Sequence, residues 1–288
     1  MRISRVETER CGLGEGPLWD VGEQALYFLD VLGRKVHRHD PLSGATRSWT
    51  TPAPVSAMAL RQSGGAVIAM EAGLFTLDFA SGATVALAAP SLSQAHFNDG
   101  KVDRRGRFVT GTKTLVYADP APVGSIYSLG ADHALTRLDD DIILSNGPSW
   151  SPDGRTFHFV DSFRRSILAY DYDLETGVVA NRRVFAETEA LGGVPDGTTV
   201  DSDGLLWAAI CQGGKIAAFT PDGKVERVID MPSRYTSSVM FGGPDLDRLY
   251  VTTLGPELLG AAASEADGHL YVIDGLGVRG LPEPRYAG

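Results

Sequence analysis

Short apolar runs, separated by Gly, Pro, Asp and Ser, recur along the whole chain, and helical periodicity is almost absent. Ala25-Leu26-Tyr27-Phe28-Leu29-Asp30, Ala66-Val67-Ile68-Ala69-Met70, Ser125-Ile126-Tyr127-Ser128-Leu129, Ser166-Ile167-Leu168-Ala169-Tyr170 and Leu249-Tyr250-Val251-Thr252-Thr253 are the clearest. Runs this short, bounded by turn residues, predict strands and an all-β fold. They also repeat. One unit reads as a small or polar residue, a strand, an acidic-Gly turn, and three further strands, several closed by Asp or Gly. The clearest copies run over 100–110, 148–161 and 197–208. Taking the residue just before the first strand of each unit gives Glu15, Ser56, Asn98, Asn146, Asp196 and Ser237, spaced 41, 42, 48, 50 and 41 apart with 51 residues remaining. Six such units predict a six-bladed β-propeller with four antiparallel strands per blade. The whole of 1–288 is read as this one domain, the N-terminal Arg2–Glu7 supplying the outer strand of the last blade.

Pro-Asp-Gly occurs three times, at 152–154, 195–197 and 221–223. The first and third fall between strand-like runs and are read as hairpin turns, where Pro presets φ and Gly accepts positive φ. The middle copy instead opens a repeat unit, which singles out Asp196. The Ala-rich stretch 255–268 interrupts the pattern and is read as a short helix or a flap.

Composition narrows the function. A formal charge of −10 over 288 residues leaves no basic field for a nucleic acid. No apolar run is long enough to span a membrane. The N-terminus carries no apolar core of a secretory signal, and Cys11 and Cys211 form no CxxC pair. A reducing, cytoplasmic setting is expected, one disulfide remaining open. His37 and His39 are assigned to a solvated outer strand, because no third nitrogen or sulfur ligand is near in sequence. Gly275-Leu276-Gly277-Val278-Arg279-Gly280 matches a dinucleotide fingerprint but opens no helix, so it is set aside.

In a propeller the innermost strands line the channel, so the six phase residues are expected to gather at one mouth. They are two carboxylates, two carboxamides and two hydroxyls, all oxygen donors suited to a hard divalent cation. Taken singly, each reads as an ordinary loop or turn residue; their shared phase is what points to a site.

Leu13-Gly14-Glu15-Gly16-Pro17-Leu18-Trp19, Asn98-Asp99-Gly100-Lys101-Val102-Asp103, Ser145-Asn146-Gly147-Pro148 and Pro195-Asp196-Gly197 resemble the senescence-marker-protein-30 (regucalcin), gluconolactonase and luciferin-regenerating-enzyme family, with similarity nearly end to end. The resemblance implies one divalent cation (Ca, Mg, Mn, Zn or Fe) held by Glu15, Asn146 and Asp196, with Asp196 also the general base. It implies hydrolysis of a small sugar-acid lactone or a related lactone. The alternative is a non-catalytic calcium- or ligand-binding propeller. Asn98 and Asp99 fall on substrate-side positions. Two other such positions depart from the family pattern, with His96 where an arginine is usual and Val116 where an acid is usual. Gluconolactone is therefore a poor expectation, and a less hydroxylated lactone weighs equally. A monomer or weak homodimer is the expected assembly.

Overall fold

A computed structural model describes residues 1–288, the side chain of Ala261 apart. Twenty-four strands form six four-stranded antiparallel sheets, and those sheets are the six blades of a propeller. The inner strands are Gly14–Asp20, Val55–Leu60, Ala95–Val102, Ser145–Trp150, Val194–Val200 and Thr236–Gly242. The sixth blade runs Thr236–Gly242, Arg248–Thr253, Tyr271–Asp274 and finally Arg2–Arg5, so its outermost strand comes from the other end of the chain. The 152–154 and 221–223 turns lie between the paired strands of blades 4 and 5 respectively, and Pro195-Asp196-Gly197 lies within an inner strand. The 255–268 stretch begins with a short helix, Pro256–Leu259, followed by a 3-10 turn, Gly260–Ala262.

Six apolar clusters hold the ring, and each joins two adjacent blades. Leu18, Tyr27 and Trp49 of blade 1 pack on Met58, Ile68 and Leu77 of blade 2. At the ring's closure, Trp19 and Phe28 of blade 1 meet Met240 and Tyr250 of blade 6, the Trp19 and Tyr250 rings stacking at 5.8 Å. Both faces of each middle strand are therefore covered, and Ala25–Asp30 is buried along its whole length. Such strands read as continuous apolar runs, not alternating ones.

Covering both faces also explains one departure from the sequence reading. His37 and His39 sit in the third strand of blade 1, Lys35–His39, and both are buried. Their Nδ1 atoms pair with Ser48 Oγ at 2.8 Å and Thr46 Oγ1 at 3.0 Å, hydroxyls directly opposite in the outer strand. The His37 ring also stacks on Phe28 at 4.7 Å. Both cysteines are free and buried, so no disulfide forms.

After the last blade the tail 275–288 crosses the end of the channel where the inner strands finish. Gly280 pairs with Asp201 of blade 5, Arg285 with Asp20 of blade 1, and the Tyr286 N–H donates to Leu60 O of blade 2 at 2.8 Å. Tyr286 is fully buried, and its hydroxyl donates to Gly130 O of blade 3 at 2.7 Å. One strap thus ties four blades at the end opposite the inner strands' starts. Truncating a buried aromatic of this kind costs about 3–5 kcal/mol. Tyr286→Ala is expected to lose roughly that much in denaturant unfolding while its affinity for a divalent cation at the far mouth stays unchanged; a loss below ~1 kcal/mol would show that the strap is not part of the cooperative fold.

Candidate functional site

All six inner strands break register near their first residues. The slips fall between Glu15 and Leu18, Val55 and Ala57, Phe97 and Gly100, Asn146 and Ser149, Pro195 and Thr198, and Thr236 and Ser238. A bulge re-aims a side chain out of the ladder, and bulges cluster beside active sites. The phase residues are therefore inside the inner strands, at their bulges, rather than just ahead of them. A glycine follows Glu15, Asp99, Asn146 and Asp196. Gly147 is in the left-handed region at φ 48°, and a Cβ there would stand 2.7 Å from Asp196 O. A Cβ on Gly197 would overlap Ser238. Glycine is required at these two points because neighbouring inner strands nearly touch.

Five of the six phase residues line one cavity of about 190 Å³: Glu15, Ser56, Asn98, Asn146 and Asp196. The sixth does not. Ser237 Oγ donates to Gly14 O at 2.5 Å and pairs with Thr252 Oγ1 at 2.9 Å, a tie between blades 6 and 1. Asp99 lines the cavity as well, but both of its oxygens accept backbone N–H groups, from Gly100 at 2.7 Å and Gly147 at 2.9 Å. It anchors the bulge beside Asn146 and leaves its charge in the site. Asn98 Nδ2 donates to Asn146 Oδ1 at 2.9 Å and to Ser145 O at 2.7 Å, while Asn146 Nδ2 donates to Ser162 Oγ at 2.8 Å. The two carboxamides are thus fixed by their neighbours. Below them, Lys101 Nζ reaches from blade 3 to Thr198 O of blade 5, and Thr198 Oγ1 donates to Gly147 O. The channel is filled there by polar side chains.

The exception to this satisfaction is Asp196. Its Oδ1 is buried with no hydrogen-bond partner among the described residues. An unpaired buried carboxylate oxygen is costly and calls for a cation or a proton. Its surroundings sharpen the need. Burial, then the Glu15 and Asp99 charges, push the Asp196 carboxyl well above the usual carboxylate range, against the opposing pull of Lys113. Burial and the Asp99 charge push Glu15 up to about 8, opposed by the Gly16 N–H and Lys113. Burial also raises Asp99, with Lys101 and the two backbone N–H groups opposing. Three carboxylates share one small cavity with too little positive charge.

His96 and Val116, which the sequence reading placed on the substrate side, are not among the residues lining this cavity. His96 pairs in register with Lys113, and Val116 lies beyond the end of the Phe108–Thr114 strand, exposed. Lys113 and Tyr117 line the cavity instead, with Phe163, Cys211, Gln212 and Leu258. None of these holds the repeat phase, so the repeat could not have found them. Leu258 brings the short helix of the 255–268 stretch to the mouth. Cys211 adds a thiol to a wall expected to be all oxygen.

A second group could hold a metal. Ligand atoms of Cys11, Asp30 and His37 lie within 4.8 Å of one another, all buried. Asp30 Oδ1 already accepts the Gly12, Leu13 and Gly33 N–H groups at 3.0–3.2 Å. In blade 4, Asp161 accepts Ile143 and Leu144 N–H in the same way. Asp30 is accounted for as a loop anchor, whereas Asp196 Oδ1 has no partner among the described residues.

A family profile described as the SMP-30/Gluconolactonase/LRE-like region matches residues 13–255. Regucalcin of Oryctolagus cuniculus is 38% identical over 299 residues, covering 100% of this chain and 99% of that protein. Among solved structures, a luciferin-regenerating enzyme superposes with a TM-score of 0.93 at 30% identity, over 100% of this chain and 99% of that one. A calcium-binding protein, regucalcin, from Agrobacterium tumefaciens gives 0.89 at 28% identity, over 99% and 97%.

The crowded carboxylates make a pH prediction for chelated protein. A Glu15 carboxyl raised from 4.5 to about 8 binds more protons folded than unfolded, so it costs the fold stability as pH rises through that interval. The thermal midpoint of Glu15→Gln minus that of the wild type is expected to grow from pH 5 to pH 8 in chelator, and to shrink when a divalent cation is added. A difference that stays flat across this range would mean that Glu15 carries no buried like-charge burden.

Proposed function

The chain belongs to the SMP-30/gluconolactonase/LRE-like family, and we propose that it is a divalent-metal-dependent lactonase that opens a small lactone to its hydroxy acid. The observation carrying this reading is the orphaned Oδ1 of Asp196 in a cavity shared with Glu15 and Asn146. Carboxylate and carboxamide oxygens are the donor set a hard cation prefers. Glu15, Asn146 and Asp196 would hold it, with Asn98 and Ser162 fixing the Asn146 carboxamide that faces them. When bound, the cation supplies Lewis acidity toward a carbonyl oxygen and lowers the pKa of a bound water.

The chain's own groups do the rest. Asn98 has spent its NH2 group on Asn146 and Ser145, so its Oδ1 remains as an acceptor for a substrate hydroxyl. Asp196 takes a proton from the attacking water, whose oxygen bonds to the lactone carbonyl carbon. As the ring C–O bond breaks, that proton passes to the departing alkoxide, leaving carboxylic acid and alcohol in one product. Burial and the Glu15 and Asp99 charges raise the proton affinity of Asp196 in the metal-free site, which opposes the lowering that a bound cation would bring. Leu13, Val31, Leu144 and Leu254 make part of the cavity lining apolar.

A non-catalytic calcium-binding role is the second reading, favoured by the printed description of the Agrobacterium tumefaciens relative. Empty space beside the carboxylates favours catalysis, since a closed cation cage needs no room for a second ligand. Proton release from a panel of γ- and δ-lactones, run with several divalent metals and with chelator, decides between them. Metal-dependent turnover is expected, with Asp196→Asn lowering kcat by about 10²–10⁴-fold, the usual size of a general-base contribution. Tight calcium binding with no turnover of any lactone would leave the binding role standing.

A further inference from the structure

The chain has five lysines, and four of them have partners. Lys35 pairs with Glu9 at 2.8 Å and Lys224 with Asp222 at 2.7 Å, while Lys101 and Lys215 donate to the carbonyls of Thr198 and Leu191. Lys113 has no hydrogen-bond or ion-pair partner among the described residues, yet it is the one lysine or arginine among those lining the cavity. It stands on the second strand of blade 3, Phe108–Thr114, opposite His96. A lone ammonium beside three carboxylates would ordinarily pair with one of them. It pairs with none, and a cation seated between Glu15, Asn146 and Asp196 would repel it further.

Lys101 lies outside this cavity, against Glu283 and Asp99 and bonded to Thr198 O, so it is not free for a ligand. Asp99 is held by two backbone N–H groups, and a seated divalent cation would take the Glu15 and Asp196 oxygens. The Lys113 ammonium is then the one charged group lining the cavity that is left for an anion brought in by a ligand. The rest of the cavity describes that anion's body. Its volume of about 190 Å³ is below the roughly 300–1,000 Å³ of drug-sized pockets, room for one small ring. Leu13, Val31, Leu144, Leu254 and Leu258 form an apolar wall, and Tyr117 and Phe163 meet edge to face at 5.6 Å beside it. Ser56, Asn98, Ser162 and Gln212 also line the cavity and can meet ring hydroxyls, while no guanidinium fork is among the lining residues.

We infer that Lys113 receives a carboxylate carried by the substrate, so that the substrate is a small lactone bearing a free acid group. The inference rests on the lactonase reading of the same site. Lys113 is its specificity determinant, holding the acid group at one side of the ring while the reacting carbonyl sits at the carboxylates. Ring opening then yields a dicarboxylate, and the reaction that supplies the substrate must either lactonise a hydroxy-diacid with loss of water or oxidise the lactol of an aldehyde acid by hydride transfer to a nicotinamide-type acceptor.

Two lactones differing in one substituent test it: γ-carboxy-γ-butyrolactone and γ-hydroxymethyl-γ-butyrolactone, hydrolysed by the metal-loaded full chain. Calorimetric binding of their products, 2-hydroxyglutarate and 4,5-dihydroxypentanoate, gives a readout independent of turnover. The wild type is expected to favour the carboxylated member by about tenfold or more in kcat/KM and in Kd, the worth of one charge-assisted contact. Lys113→Met is expected to erase that preference in both, and Lys113→Arg to keep most of it, with thermal midpoints confirming that each variant folds. Turnover of the neutral lactone with no carboxylate preference, or a preference that survives Lys113→Met, overturns the inference and leaves the lactonase reading intact. Failure to hydrolyse either of these or any member of the γ- and δ-lactone panel, while 2-hydroxyglutarate binding still falls tenfold in Lys113→Met, overturns the lactonase reading and keeps the anion site.

Discussion

Everything at the working end of this propeller follows from placing Glu15, Asp99 and Asp196 together out of bulk water. Like charges in a low-dielectric pocket repel strongly, and each has already lost part of its hydration. Asp99 recovers some of that through two backbone N–H groups and Lys101. Glu15 recovers little, with one longer N–H contact from Gly16 at 3.3 Å. Asp196 Oδ1 recovers nothing from the protein. A fold tolerates such a cluster only if the rest of the structure over-determines it. The inter-blade clusters provide that surplus: six seams of buried aromatic and aliphatic side chains close the ring on itself. The carboxylates cannot spread apart without opening those seams.

The same constraint explains the glycines. Carboxylates from different blades reach one cavity only if the inner strands converge more closely than side-chain-bearing residues permit. Gly147 and Gly197 remove the Cβ at the two closest approaches, and the bulges turn Asn146 and Asp196 out of their ladders toward the centre. Backbone and charge are solved together, since the polar residue turned toward the centre is followed at once by the glycine that lets the strand pass. The Asp99 carboxylate joins the two, because one of its oxygens holds the Gly147 N–H.

Much of this was legible in the sequence, for a physical reason. A propeller repeats its strand and turn chemistry in every blade, so the unit boundaries, the two hairpin Pro-Asp-Gly turns and the N-terminal closing strand all leave periodic marks. The phase residues inherit that periodicity, and five of the six do share the cavity. Ser237 shares the phase but not the place, because a hydroxyl that short is taken by the Gly14 carbonyl before it reaches the centre. What the sequence hid is whatever depends on neighbours in space. The burial of His37 and His39 requires a second blade and the Ser48 and Thr46 hydroxyls across the strand. Tyr286, four residues beyond a proline in a tail without strands, gives no sign that it plugs a core.

The division between legible and hidden residues is also a division of labour. Residues that hold charge at the centre sit on inner strands, where every blade offers an equivalent position and the backbone is rigid. Residues that set the cavity's outer surface come from elsewhere: Lys113 from a second strand, Tyr117 and Phe163 from loops that follow strands, Leu258 from a four-residue helix in an insertion. Loops and insertions change length and side chain without disturbing the seams between blades. A chain can therefore keep Glu15, Asn146 and Asp196 with their glycines and exchange the outer shell around them. His96 and Val116, read from the sequence as part of that shell, do not line the cavity here. Selectivity passes to whichever residue now projects over the carboxylates, and in this chain that residue is a lysine.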